Sequence, residues 1–295
     1  MRNGSYANLA DRGVVRIAGP DSETFLQNIV TNDMARLAAG EAGFGALLSP
    51  QGKIQTDFLL VPDGDGFLLD LPLDRVPDFV KRMTLYRLRA KVTIADESTA
   101  LGVVAFWGGE TPDVDGIVFA DPRLAALGWR AILPREAARA DAGSDEADEA
   151  AYHAHRIRLG VPEGGRDFAF GDAFPHDADM DDLGGLDFRK GCYVGQEIVS
   201  RMQHRGTARR RAVHASSEAA LPPAGTAIDA GGRAIGTLGG VDGSEGIALV
   251  RLDRARQAMD AGAPILADGV PLTLSLPAFA RFTWPEPGAG DEGAA

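Results

Sequence analysis

The residues whose types are best suited to catalysis or metal binding surround Cys192, the single cysteine in this chain of 295 residues. The cysteine lies in the segment KGCYVGQE, which covers residues 190–197. Gly191 and Gly195 stand on either side of it, and glycine permits tight turns and a close approach of the backbone to a ligand. The spacing therefore favours a turn that presents a thiol beside an open backbone.

The charges beside the thiol add a second argument. Arg189 and Lys190 precede Cys192, and neighbouring cations favour thiolate over thiol. A thiolate is the form that both metal ligation and nucleophilic attack require. Gln196 and Glu197 add an amide and a carboxylate a few residues later. A free cysteine is also commonly a buried packing residue, so these residues by themselves leave a reactive and an inert Cys192 both open.

A second acidic pattern imitates a calcium-binding loop. Asp177, Asp179 and Asp181 have the spacing of its first three ligands. The position that requires glycine holds Asp182, and the twelfth position holds Phe188 instead of glutamate. These two mismatches argue against a calcium site.

The overall charge argues against direct binding of nucleic acid. The formal net charge is −12, and an acidic field repels phosphate backbones. One basic cluster comprises Arg205, Arg209, Arg210 and Arg211. On strands these side chains alternate between faces, which predicts salt bridges with the acidic surface rather than a nucleic-acid site.

The cysteine content and the hydropathy favour a cytoplasmic protein. One cysteine cannot form an intramolecular disulfide. The first residues show neither the apolar core of a signal peptide nor an amphipathic stretch rich in Arg and Ser. No run approaches the ~18 apolar residues that a membrane span needs. We therefore expect a cytoplasmic location and no membrane partner.

The elements that must position Cys192 are short strands joined by tight turns, with few helices. This arrangement predicts an α+β fold rather than a doubly wound parallel sheet. Asp21 or Ser22 is expected to cap one helix, and Asp74 a second. Strands are predicted at 13–18, 44–48, 54–61, 67–71, 90–94 and 101–106.

The texture of the chain changes near residue 208, where short strands separated by Gly and Pro begin. Strands at 235–241, 246–252 and 270–276 predict a β-barrel or a β-sandwich. The expected domains are 1–207, which comprises two interleaved α+β subdomains, and a barrel over 208–283. Residues 284–295 have too little apolar content to pack, which predicts a disordered tail. The acidic run at 137–151 is expected to be a solvated helix face or a loop.

Several blocks resemble one known family. The KGCYVGQE segment followed by Arg201 is similar to the signature of the YgfZ/IBA57 family, which is related to the aminomethyltransferase (T-protein) of glycine cleavage. Further blocks across residues 10–280 strengthen the resemblance, and together they are specific. They are Thr31-Asn32-Asp33, residues 49–53 (SPQGK) with Asp57, residues 88–92 (LRAKV), residues 156–162 with Gly165 and Asp167, and residues 235–237 with 248–251.

The resemblance implies an aminomethyltransferase-like cloverleaf fold that binds tetrahydrofolate and carries a C-terminal β-barrel. It implies a role in the assembly or repair of iron–sulfur clusters, especially for radical enzymes that modify tRNA. It also implies that Cys192 is a cluster ligand or a reactive thiol, with a [2Fe–2S] cluster shared with an A-type carrier protein. Lys190 and Arg201 would tune its charge. The implied folate contacts are Asp57, Asp177, Tyr193, Gln196 and Glu197.

Two departures from the family pattern bear on activity. The true aminomethyltransferases have an acidic pair where this chain has Thr56-Asp57. One carboxylate therefore remains. The alternative function is aminomethyl or other one-carbon transfer with folate, and the missing carboxylate argues against it. The family's Pro-Gln-Glu is replaced by Pro175-His176-Asp177, and an aspartate can still accept two N–H bonds from a pterin ring. A third hypothesis is a non-catalytic scaffold for cluster carriers.

Overall fold

The computed structural model describes residues 4–37, 41–137, 144–205 and 208–286. The chain forms two compact units. Unit 1 comprises Met1–Tyr152 and Leu183–Glu197, and unit 2 comprises His153–Asp182 and Ile198–Ala295. Helix α3 (Glu149–Arg158) and helix α4 (Gln196–Arg205) each begin in unit 1 and end in unit 2.

Unit 1 contains two five-stranded sheets. Its helices are α1 (Ser22–Gln27) and α2 (Val76–Arg87). Its strands are β1 (Ser5–Asn8), β2 (Arg12–Ala18), β3 (Gly43–Leu48), β4 (Ile54–Asp63), β5 (Gly66–Pro72), β6 (Thr93–Asp96), β7 (Leu101–Trp107), β8 (Ile117–Ala120), β9 (Trp129–Pro134) and β10 (Asp145–Glu146). Short 3-10 helices cover Met34–Arg36, Leu73–Arg75, Ala125–Leu127 and Arg135–Ala137.

The first sheet has the order β3-β4-β5-β2-β6 and is antiparallel throughout. Most residues of β3, β4 and β5 are buried, which fits the near-continuous apolar sequence of these strands. Helices α1 and α2 complete its core through Phe25, Leu26, Phe79 and Met83. The second sheet has the order β10-β1-β7-β9-β8, and only its β1–β10 pair is parallel.

The predicted strands of unit 1 are confirmed with small shifts. Asp21 is the N-cap residue of α1, as predicted, but the predicted cap at Asp74 is wrong. Asp74 lies in the 3-10 helix before α2, which begins at Val76 with Pro77 in its first turn; proline suits that position because its φ is already helical. Asp21 makes no side-chain cap, and its Oδ2 instead accepts the Lys91 N–H at 2.7 Å. The strand predicted at 90–94 shifts to Thr93–Asp96.

Unit 2 is built on a seven-stranded antiparallel sheet that forms a nearly closed barrel, in the order β16-β15-β12-β13-β14-β11-β17. The predicted strand at 270–276 is interrupted after Pro271, because proline has no N–H to donate to a neighbouring strand. The strands are β11 (Arg210–Ser216), β12 (Ala227–Ala230), β13 (Arg233–Asp242), β14 (Glu245–Arg251), β15 (Ile265–Ala267), β16 (Val270–Pro271) and β17 (Thr273–Ser275).

Helix α5 (Leu252–Asp260) packs into the barrel core and was absent from the sequence prediction. Leu252, Ala255 and Ala258 recur every three residues and are buried. Small side chains on a short, charged segment give a weak helical signal. The start of this helix was also included in the strand predicted at 246–252. Among the described residues, no helix is long and apolar enough to span a membrane.

The two segments with little apolar content are only partly covered by the structure. Trp284 packs against the barrel core, at the start of the predicted disordered tail, and residues 287–295 lie outside the described residues. In the acidic run at 137–151, residues 138–143 also lie outside them. The described remainder includes β10 and the first residues of α3.

Candidate functional site

Cys192 is exposed on a loop of unit 1 that immediately precedes α4. We call residues 187–195 the Cys192 loop. A Cβ atom built on Gly191 would meet nothing within 4 Å, so the backbone before the cysteine borders open space. The thiol is therefore accessible to a large ligand, as the sequence predicted.

Lys190 fastens the loop to the segment before β3. Its side chain is buried, and its Nζ donates to the backbone oxygens of Val30 at 2.6 Å and Asn32 at 2.5 Å. The ammonium group also lies 5.2 Å from the centre of the Tyr193 ring, a distance suited to a cation–π contact. These contacts give Lys190 an anchoring role, and its expected effect on the charge of Cys192 stays a prediction.

Asp187 holds the start of the loop. Its Oδ1 accepts the N–H groups of Arg189 at 2.7 Å and Lys190 at 3.0 Å, and its Oδ2 pairs with the Arg36 guanidinium at 2.8 Å. Burial opposes the negative charge, but these hydrogen bonds and Arg36 outweigh it and lower the pKa of Asp187. The Asp187 carboxylate therefore stays charged and holds the backbone around Lys190 through hydrogen bonds.

Gly195 fixes the other end of the loop. It has a φ of +82°, and a Cβ there would lie 2.6 Å from the Ser49 carbonyl oxygen and 3.1 Å from Gly52 Cα. Only glycine tolerates both the positive φ and this approach. The loop thus packs directly against the turn at 49–53, which the sequence analysis named as a family block without assigning it a contact.

Thr31 joins the same elements from the inside. Its Oγ1 donates to the Gly185 carbonyl at 2.6 Å and accepts the Ala46 N–H at 2.9 Å, and its carbonyl accepts the Asp187 N–H at 3.1 Å. Asn32 Nδ2 donates to the Phe44 carbonyl at 2.6 Å. Sequence reasoning missed these bonds because they join residues as far apart in the chain as Thr31 and Asp187.

Tyr193 is buried beneath the loop. Its hydroxyl has no hydrogen-bond partner among the described residues. Burial, with a smaller contribution from Asp187, raises the pKa of Tyr193 to about 12, so the group is a neutral donor at physiological pH. A buried hydroxyl normally has a partner, which makes this atom a candidate contact for a bound polar molecule.

Three other predicted contact residues also belong to unit 1. Asp57 lies in β4, where it pairs with Ala46 of β3, and is 5% exposed. Gln196 and Glu197 form the first turn of α4, and the Gln196 N–H donates to the Tyr193 carbonyl at 3.2 Å. Their contacts with folate stay predictions.

Asp177 and Arg201 belong to unit 2. Asp177 is buried in the 3-10 helix Pro175–Ala178, and its Oδ2 accepts from the Phe174 N–H at 2.9 Å and from Arg210 at 2.8 Å. Arg201 is exposed on α4. The roles of both residues stay predictions.

Two members of the basic cluster, Arg210 and Arg211 of β11, form the predicted ion pairs. Arg210 pairs with Asp172 and Asp177, and Arg211 pairs with Asp181 at 2.5 Å. Asp179, part of the rejected calcium pattern, is fully buried with a φ of +54°. Burial raises the pKa of Asp179 well above its usual range although Arg211 opposes this.

Comparison with known proteins decides the family. The model of the CAF17 C-terminal beta-barrel domain matches residues 209–282. The human mitochondrial iron–sulfur cluster assembly factor IBA57 is 31% identical over 82% of this chain and 76% of its own length. The chain belongs to the IBA57 family.

Fungal members of the IBA57 family are similar at the same level. The mitochondrial IBA57 homologue of Mycosarcoma maydis is 33% identical over 70% of this chain, and that of Neurospora crassa is 32% identical over 69%. The chain spans only 56% and 51% of these relatives' own lengths.

A solved structure confirms the predicted fold class. The glycine cleavage aminomethyltransferase T of Bartonella henselae superposes with a TM-score of 0.75, covering 95% of this chain and 87% of that one. Its sequence identity is 18%, so the likeness concerns the fold alone. The aminomethyltransferase-like fold with a C-terminal barrel, expected from the resemblance, is correct.

The expected cytoplasmic location is wrong. The IBA57 relatives from human and from both fungi are all named as mitochondrial proteins, which points to the mitochondrion. The expectation rested on the single cysteine, the first residues and the lack of a long apolar run, and none of these features identifies a compartment.

Proposed function

We propose that this protein is an assembly factor for iron–sulfur clusters that uses Cys192 as one ligand of a shared cluster. The observation that carries the proposal is an exposed thiol on a firmly held loop. Lys190, Asp187 and Gly195 attach the loop to unit 1 on both sides of the cysteine, while the position next to it borders open space. The thiol is thus both positioned and accessible.

The ligand count requires a second protein. A [2Fe–2S] cluster is held by four protein ligands, and the chain has one cysteine. In the part of the chain that the structure describes, Cys192 belongs to no group of three His, Cys, Asp or Glu ligand atoms within 4.8 Å of one another. The remaining ligands therefore come from a partner, for which we propose an A-type carrier protein.

Tetrahydrofolate is the proposed small-molecule ligand. The aminomethyltransferase-like fold supports it, as does the buried Tyr193 hydroxyl, which has no hydrogen-bond partner among the described residues. Asp57 and Asp177 are buried carboxylates, and a carboxylate can accept paired N–H bonds from a pterin ring. The proposed clients are iron–sulfur enzymes, including radical enzymes that modify tRNA.

Aminomethyl transfer is the less favoured function. Thr56 is 2% exposed, and its hydroxyl donates to the Gln55 carbonyl at 2.7 Å. It offers no negative charge beside Asp57, where the true transferases have an acidic pair. We expect no turnover with the aminomethylated lipoyl carrier of glycine cleavage, and turnover comparable to a true aminomethyltransferase would refute the assembly-factor proposal.

The decisive experiment replaces the thiol. Cys192→Ser should leave the thermal melt unchanged, because the side chain is exposed and a hydroxyl is nearly the same size. Since a hydroxyl is a poor ligand for iron–sulfur iron, the variant should lose the visible absorption of a cluster-bridged complex with a holo A-type carrier. It should also fail to restore iron–sulfur enzyme activity in cells that lack the protein. A folded variant that restores full activity would show that Cys192 is incidental.

A further inference from the structure

A groove opens on unit 1 beside the Cys192 loop. It lies between α1 and the C-terminal end of α2 and has a volume of about 410 Å³. Phe25 and Ile29 form one wall, Tyr86 and Leu88 form the other, and Val194 of the Cys192 loop closes one side. Every residue of this lining belongs to unit 1.

Leu88 at the groove and Leu85 outside its lining are both strongly exposed. Leu88 is 88% exposed and lines the groove, and Leu85 on the same stretch is 69% exposed. Leu88 also has a φ of +45°, a region that a leucine rarely occupies outside sites where a function maintains the strain. The backbone thus holds a large apolar side chain in water in a conformation that neither packing nor local preference explains.

The groove has a positive rim on an acidic protein. Arg87 and Arg89 line it, and the neighbouring Lys91 is exposed. Asp21 is the acidic residue of the lining, and its Oδ2 accepts the Lys91 backbone N–H at 2.7 Å. Because the whole chain carries a net charge of −12, this rim attracts acidic groups that most of the surface repels.

We propose that this groove docks an acidic amphipathic helix of the protein that shares the cluster with Cys192. Helices bind such grooves through apolar side chains spaced three and four residues apart, and acidic residues flanking them would meet Arg87 and Arg89. Val194 is two residues from Cys192, so a partner seated here is held next to the thiol. The partner's identity rests on the proposed function, whereas the chemistry of the docked segment rests on the groove.

The first test uses a synthetic peptide of about 16 residues, long enough to form some helix in isolation. It carries leucines at positions i, i+3, i+4 and i+7 and glutamates on its other faces, with a lysine version for comparison. Fluorescence anisotropy should show saturable binding of the acidic peptide. The lysine version should bind at least about tenfold more weakly, a difference that shrinks in high salt.

Leu88→Gly separates docking from folding. Glycine relieves the positive φ, so the variant should melt at the same or a higher temperature than the wild type. It also removes the exposed leucine side chain, so the acidic peptide should bind at least about tenfold more weakly than it binds the wild type. Leu73→Ala is the matched control, because Leu73 is 40% exposed on unit 1 and does not line the groove. It should bind the peptide as the wild type does.

Charge reversal tests the rim. Arg87→Glu combined with Arg89→Glu should reduce binding of the acidic peptide and favour the lysine version. Lys81→Glu is the control, since Lys81 is exposed on α2 but outside the groove lining. Peptide binding that is absent, or that is insensitive to both Leu88→Gly and the arginine reversal, overturns the groove proposal.

Complex formation with the holo A-type carrier distinguishes the two proposals. Loss of the cluster-bridged complex in both Cys192→Ser and Leu88→Gly supports both. Loss in Cys192→Ser alone keeps the shared cluster and overturns the groove. Peptide binding that depends on Leu88, with no carrier complex for the wild type, keeps an acidic docking partner and overturns the carrier's role. Leu88-dependent self-association in sedimentation, or Leu88-dependent binding to phosphatidylglycerol vesicles, would replace the helix with a second copy or a membrane surface.

Discussion

Lys190 uses its ammonium group to hold backbone, although it stands next to a cysteine. Its side chain is buried against the Val30 and Asn32 carbonyls and the Tyr193 ring. Burial lowers the pKa of Lys190 to about 8, while Asp33 and Asp187 partly oppose the shift. A neutral amine still has two N–H donors, which is the number that the two carbonyls need, so the anchor survives loss of the proton.

This lowered pKa predicts a specific dependence of stability on pH. Between about pH 8 and pH 10.5 the folded chain has released the proton while the unfolded chain still holds it. The unfolded state then binds more protons, so the contribution of Lys190 to the free energy of unfolding rises with pH across this window. Below about pH 8 both states are protonated, and the contribution is constant.

The measurement compares urea unfolding of the wild type and Lys190→Met at intervals from pH 7 to pH 10. The wild type should be more stable by about 1–3 kcal/mol or more, since methionine leaves buried carbonyls without a donor, and its advantage should grow above pH 8. Lys81→Met, at an exposed lysine of α2, should show no such growth. An advantage that stays flat or shrinks would contradict the pKa assignment.

At the scale of elements, the Cys192 loop depends on its contact with the turn at 49–53. Gly195→Ala would place a methyl group 2.6 Å from the Ser49 oxygen at a φ of +82°. We expect a loss of about 1–3 kcal/mol in the free energy of unfolding and a displaced loop. Complex formation with the carrier should fall although Cys192 is intact. Gly191→Ala is the control, because its added Cβ meets nothing within 4 Å; if both variants behave alike, the contact is unimportant.

Both sheets of unit 1 are joined by a buried ion cluster. Asp70 of β5 is fully buried and accepts from Arg12 of β2 at 2.5 Å and from Arg130 of β9 at 3.0 Å. Asp70→Asn would remove the negative charge that the two buried guanidinium groups share, and Asp121 would remain 3.6 Å from Arg130. We expect a loss of about 3–5 kcal/mol in urea unfolding, whereas Asp78→Asn, at an aspartate that is 72% exposed, should cost little. Equal effects would mean that the buried charge is compensated elsewhere.

The sequence predicts local elements better than the contacts between them. The strands of the first sheet follow from apolar runs bounded by Gly and Pro, and the exposed position of Cys192 follows from its glycines. The Thr31 bonds, the Gly195 contact and the Asp70 cluster join residues that are far apart in the chain. The hydrophobic periodicity of a sequence does not show which distant residues will contact each other. Asp74 is not a cap, and the Asp21 side chain bonds Lys91 instead of its own helix, because a capping residue type does not show which N–H it will meet.

At the scale of the whole molecule, arginines compensate a large acidic excess from within. The chain carries a net charge of −12, yet several arginines are buried in ion pairs with aspartates. Arg12 pairs with Asp70, and Arg211 pairs with Asp181. The exposed Arg87 and Arg89 at the groove beside Cys192 therefore form a local positive patch on a protein whose net charge is negative. A field of this kind steers an acidic partner towards the thiol by raising the rate of productive encounters.

Binding of tetrahydrofolate is the last prediction, and it concerns the stability of the whole chain. A ligand that binds only the folded state stabilises it by RT ln(1 + [L]/Kd), so the melting temperature keeps rising with ligand concentration above Kd. Calorimetry should show saturable binding of tetrahydrofolate to the wild type, with a matching rise in the melt. Asp177→Asn keeps the size of the side chain but removes its charge, and we expect about tenfold to a hundredfold weaker binding. Asp172→Ala is the control, since Asp172 also pairs with Arg210 but is 64% exposed. Equal weakening by both variants would assign the effect to Arg210, and a flat titration of folded wild-type protein would refute folate binding.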